Sequence, residues 1–170
     1  MSRDAESHSA APFRAAFGAG DSWQTAAGEV IRQLGALDQS YRLGMIYVTP
    51  PFARNLREIE VLLRQATGVP HWIGAVGYGV IATGVELVEE PGIAVMVLPI
   101  PDAAFRIFDG VVDETDAVTR SHADWLGETA APLILAHADT GNRMVPGLIR
   151  DLVEETDGFM VGGLACASGI

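Results

Sequence analysis

The sequence has a single cysteine, Cys166, in 170 residues. One thiol cannot close an internal disulfide or build a four-cysteine zinc site, so a reducing compartment is the simpler expectation. Basic residues are also scarce, at 11 against 22 acidic ones, for a formal net charge of −11. Many of them stand singly, as Arg14, Arg32, Arg42, Arg54, Arg57 and Arg64 do, and no cluster forms the basic patch that a polyanion would need. Long apolar runs are missing too. The best candidate, residues 72–85, is 14 residues long and carries four glycines. A membrane-spanning helix needs about 20 predominantly apolar residues. The first 20 residues are small, polar and broken by Pro12, Gly18 and Gly20, unlike the basic-then-apolar pattern of an export signal. Charged residues overall make up only 19% and hydrophobic ones 49%, which excludes wholesale disorder and supplies a core for one domain.

Within that core, periodicity predicts an α/β fold. Residues 1–20 read as a flexible tail and residues 21–170 as the domain. Trp23, Ala26, Ala27, Val30, Ile31 and Leu34 recur at helical spacing behind Asp21 or Ser22 as N-cap. Leu43 to Thr49 is a continuous apolar run halted by Pro50-Pro51, as in a buried strand. Asn55 and Glu58 have capping-box spacing ahead of a second helix that Gly68 stops. His71 to Gly79 reads as a glycine-dense strand. Residues 93–100 and 103–108 read as consecutive strands, 111–120 as an acidic loop, and Ser121 to Asp124 as the cap of a short third helix. Residues 132–138 (strand), 145–153 (helix) and 159–165 (strand) complete the order.

That order repeats. Ile46 and Ile134 are 88 positions apart, as are Gly74 and Gly162, which predicts two related strand–helix–strand units in a mixed sheet with packed helices. The second copy reaches Ile170 at the position matching Ala82, so the sheet is expected to be incomplete and to require a C-terminal half, a second chain or an oligomeric partner.

Gly74, Gly77 and Gly79 flank Tyr78 in the order G-x-x-G-x-G, which is not the dinucleotide fingerprint and is not followed by helical periodicity. Glycines there serve either a tight bend or a close approach of backbone N–H groups to a ligand carboxylate. His137 and Asp139 sit near a strand end, but no metal-ligand spacing accompanies them. His71, beside Trp72, is either a strand-end residue bonded to backbone or an axial haem ligand. Cys166 lacks an activating basic neighbour, and Ser168 lies outside a nucleophile elbow.

The run Gly44-Met-Ile-Tyr-Val48, a helix, then Ile73-Gly-Ala-Val-Gly-Tyr-Gly-Val-Ile81, and later Val161-Gly-Gly-Leu-Ala165, resembles the N-terminal region of FIST domains. These are sensory modules of bacterial signalling proteins and of a eukaryotic F-box ubiquitin-ligase subunit. The resemblance covers about residues 23–170. It implies a cytoplasmic sensory domain that binds a small, amino-acid-like ligand, is followed by a C-terminal FIST region, and works with a signalling partner such as a kinase. It implies no catalysis and no obligatory cofactor, although a haem-binding, nitric-oxide-sensing subset of the family leaves haem as an alternative. The expected ligand site joins the two glycine segments: Gly74, Gly77, Tyr78 and Gly79 with Gly162, Gly163 and Cys166, and Thr49 lining the cleft. The rival reading is the N-terminal chain of a self-cleaved hydrolase whose second chain begins with a Ser, Thr or Cys nucleophile.

Overall fold

A computed structural model describes residues 11–108 and 110–165. Its principal sheet has four strands in the order β1-β6-β2-β3. These are β1 (Arg14–Ala19), β2 (Leu43–Val48), β3 (His71–Val76) and β6 (Gly92–Leu98). β6 runs antiparallel to both β1 and β2, and β2 runs parallel to β3. The sheet is therefore mixed and open, with helices packed on it, as the sequence predicts.

Helix α1 (Trp23–Leu34) starts where expected, with the Ser22 side chain accepting a hydrogen bond from the Thr25 N–H. Helix α2 (Leu56–Thr67) ends at Gly68. Both bury their apolar stripes on one face of the sheet, where Val30, Leu34, Ile59 and Leu63 join Ile46, Val48, Ile93, Val95 and Val97. Asn55 makes no capping bond. A 3₁₀ turn over Pro50–Asn55 leads straight into α2, so Asn55 sits at a junction and not at a free helix end.

The loose tail expected over residues 1–20 is corrected for residues 14–19, which form β1 at the sheet edge. Three side chains hold it there. Gln33 donates to the Phe17 carbonyl and accepts from the Phe17 N–H at 2.9 and 3.1 Å, satisfying backbone that an edge strand otherwise leaves unpaired. Arg14 donates to the carbonyls of Leu34 and Ala36 at the end of α1. Tyr41, buried, donates to the Pro12 carbonyl.

On the other face of the sheet lies a hairpin of β4 (Gly79–Ala82) and β5 (Val85–Val88), whose Val80 and Leu87 cover Tyr47 and Ala94. The strand expected over residues 103–108 is absent: a 3₁₀ turn at Asp102–Ala104 leads into irregular chain. The Asp102 carboxylate is held by Arg42, while side chains take the backbone carbonyls: Arg106 donates to those of Asp102 and Phe105, and Trp125 donates its indole N–H to that of Ala103, so these groups serve the connector and no ladder. The acidic loop expected over 111–120 is partly helical, because α3 (Asp116–Ser121) begins inside it and is followed by α4 (Ala123–Glu128).

The second strand–helix–strand unit is β7 (Leu133–Asp139), α5 (Val145–Thr156) and β8 (Phe159–Ala165), with β7 and β8 parallel. Ile134, Met160 and Leu152 pack with Val118 of α3 in a separate apolar cluster. Leu43 pairs with His71 and Leu133 with Phe159, so the second crossover is two residues shorter. The constant spacing therefore holds at the glycine strands and shifts by two at the first strands. Matching Gly74 to Gly162 matches Ile46 to Ala136 and Tyr47 to His137.

Candidate functional site

The two matched glycines have one physical cause. A Cβ on Gly74 would lie 1.8 Å from the Ile46 carbonyl oxygen, and one on Gly162 would lie 1.9 Å from the Ala136 oxygen. In each unit only a glycine lets the second parallel strand approach the first this closely. Gly162 also has φ +149°, which L side chains rarely adopt. Gly79 meets the Leu87 carbonyl in the hairpin and Gly77 donates its N–H to Val48, while Gly163 opens on free space. These glycines are thus used by the fold first, and Gly163 is the one whose surroundings leave room for another group.

Thr49, expected to line the cleft, is wholly buried. Its hydroxyl accepts the Gly92 N–H at 2.8 Å and its own N–H donates to the Gly92 carbonyl at 3.0 Å, clamping the end of β2 to the start of β6. Tyr78 stands more than half exposed, its hydroxyl donating to the Glu89 carboxylate. Cys166 lies outside the described residues.

Sequence reasoning missed the contact that brings the two units together. Tyr47, the penultimate residue of β2, hydrogen-bonds through its hydroxyl to Nε2 of His137 at 2.9 Å, with the rings edge to face at 5.3 Å. Both side chains are partly buried; burial lowers the His137 pKa and raises that of Tyr47, favouring a neutral pair. No sequence signal pointed to it: the two residues occupy matching positions in the two units, which does not by itself make them neighbours. Their bond brings together the carboxyl halves of β2 and β7. Those halves run toward the segments that hold Gly77–Gly79 and, beside β7, Gly163. Open α/β sheets bind ligands beyond the carboxyl ends of their parallel strands.

His71, the residue considered for haem, lies at the opposite end of β3. Its Nε2 is 3.6 Å from Asp102 Oδ1, and its ring packs edge-on against Phe105 at 5.4 Å. Asp102 is also gripped by Arg42 at 3.0 and 2.8 Å, which pulls the carboxyl below its usual range and raises the guanidinium. This group staples the connector to the sheet and turns the His71 Nε2 toward a carboxylate.

The molecule is a mixed-sheet α/β domain with two parallel strand–helix–strand units meeting through their strands' carboxyl halves. The FIST N domain matches residues 42–169, and the chain belongs to that family, a sensory-type domain associated with signal-transduction proteins. The match begins just ahead of β2, so β1 and α1 precede it. No curated protein and no solved structure matches the chain. No helix among the described residues is long and apolar enough to cross a membrane.

Proposed function

We propose that this chain binds a small, amino-acid-like ligand and carries no chemistry of its own, as the sensory part of a cytoplasmic signalling protein. The observation that supports it is the Tyr47–His137 bond, which draws together the carboxyl halves of β2 and β7, with Gly162 and Gly163 beside β7 in β8 and Gly77–Gly79 beyond the end of β3. In this reading the ligand carboxylate is received by backbone N–H groups around Gly77–Gly79 and Gly162–Gly163, with Tyr78 beside it. Local N–H groups override the repulsion of a net charge of −11 at short range.

The uncovered surface supports the partner expected from sequence. Leu133 and Phe159 face each other across β7 and β8 and are 70% and 69% exposed. A C-terminal FIST half or second chain would cover them, and a kinase would read the result.

The test is a thermal-shift screen of the amino acids and of acetate and benzoate, followed by amide-shift mapping of any hit. The reading expects a raised melting temperature and shifted amides at Gly77–Gly79 and Gly162–Gly163. Tyr78→Phe should then weaken binding by about 0.5–1.5 kcal/mol with little change in stability. A screen without any hit, or hits mapping elsewhere, overturns it.

A further inference from the structure

We propose that His137 is the side chain that receives the ligand's carboxylate, and that the face of β7 and β8 around it selects amino acids with apolar side chains. This rests on the ligand-binding reading above and adds to it the selecting residues and the class of ligand. The imidazole is held by one nitrogen only. Its Nε2 meets the Tyr47 hydroxyl at 2.9 Å, while Nδ1 has no partner among the described residues and is open to solvent. A phenol is a good donor and a poor acceptor, so the neutral ring accepts at Nε2 and carries its hydrogen on Nδ1. An imidazolium donating from Nε2 to the phenol oxygen also carries a hydrogen on Nδ1. Both states leave an N–H donor for a ligand, and a carboxylate makes the stronger, charge-assisted bond to it. Tyr47, itself packed against Val80, Leu87 and Ala94, is the positioning residue that holds the ring from the other side.

Strand alternation places the rest of the site. Val118 of α3 and Leu152 of α5 pack on the face of Ile134 and Met160, so Leu135, His137 and Asp139 share the other face with Val161 and Gly163. Gly163 stands opposite His137 in the ladder, and a Cβ there would meet nothing within 4 Å, so bare backbone lies beside the imidazole. One row back, about 6.6 Å along the strands, Leu135 is half-buried and its neighbour Val161 is exposed. A leucine or phenylalanine side chain reaches that apolar row from a carboxylate at His137. One row on, Asp139 is exposed, its Oδ1 accepting the Gly141 N–H, and it supplies negative charge for an α-ammonium group. The order of apolar row, imidazole and carboxylate therefore complements the side chain, carboxylate and ammonium of one apolar amino acid. The first unit differs at the matching positions: Tyr47, paired with Ala75, lies under Val80 and Leu87 of the hairpin, whereas Gly163 beside His137 is exposed.

The experiment is calorimetric titration of the full chain, at about pH 8 where imidazole is neutral, with leucine and three relatives that each lack one group. Leucinol lacks the carboxylate, isocaproate the ammonium and alanine the branched side chain. Leucine should bind, and each relative should bind at least about tenfold more weakly. His137→Gln, whose amide still reaches the Tyr47 hydroxyl but has nothing in the place of Nδ1, should lose about tenfold in leucine affinity with an unchanged melting temperature. Long-range proton–nitrogen NMR of the histidine rings reads the positioning role without any ligand. His137 should carry its hydrogen on Nδ1 in wild type and on Nε2, the site a free imidazole prefers, in Tyr47→Phe. Alanine or isocaproate binding as tightly as leucine, leucine binding undiminished in His137→Gln, or a screen whose hits are polar amino acids overturns this inference and leaves the ligand-binding reading standing. A neutral wild-type ring with its hydrogen on Nε2 also overturns this inference alone. A screen without any hit overturns both.

Discussion

Thr49→Val separates a clamp from a cleft wall. The substitution keeps the side chain's shape and β-branching but removes the oxygen that accepts the Gly92 N–H at 2.8 Å. Thr49 is 0% exposed and Gly92 is buried beside it, so water cannot replace the lost partner. Leaving a buried backbone donor unpaired costs about 1–3 kcal/mol. For a chain of this length each kcal/mol lowers the melting temperature by about 2–4 °C, which predicts a drop on the order of 5 °C. Thr49→Ser retains the oxygen and should recover most of the loss, although it gives up a packed methyl. Reversible thermal unfolding followed by circular dichroism reads both. A Thr49→Val protein that melts with wild type refutes the clamp. A change in ligand affinity with no change in melting would restore Thr49 to the cleft.

Three further outcomes follow from single contacts. Gly74→Ala drives a methyl into the Ile46 carbonyl and should cost about 1–3 kcal/mol or prevent folding, whereas Gly163→Ala, opening on free space, should cost well under 1 kcal/mol; urea midpoints compare them. Asp102 has its folded pKa lowered by Arg42, so its stabilisation is complete above the ordinary aspartate value and is lost as pH falls through the lowered one. Asp102→Asn should therefore be less stable than wild type at neutral pH and converge with it in acid. Glu29 is held down to about 2, first by the Arg32 hydrogen bonds and then by Gln33. Carboxyl-detected NMR titration should show that midpoint, and Arg32→Gln should return it toward the usual carboxylate range.

What the sequence determined by itself was whatever local periodicity and capping decide. The apolar spacing from Trp23 to Leu34 and the N-cap at Ser22 define α1, and the halted run from Leu43 to Val48 defines β2. The paired glycines announced two like units because a steric demand, room for a carbonyl oxygen, had to be met by the same residue twice. The family followed from those same short segments. What only the tertiary structure decided was every pairing between distant groups. Arg14 to Ala19 carries no strand signal of its own and becomes a strand because β6 offers an edge and Gln33 closes the other side. Thr49 looked like a strand-end contact residue until Gly92, 43 positions on, took its hydroxyl. The two-residue shift between the units was hidden, since aligning apolar residues matches Ile46 to Ile134 as readily as to Ala136. The Tyr47–His137 contact was hidden as well, because no local property of either residue specifies a partner 90 positions away.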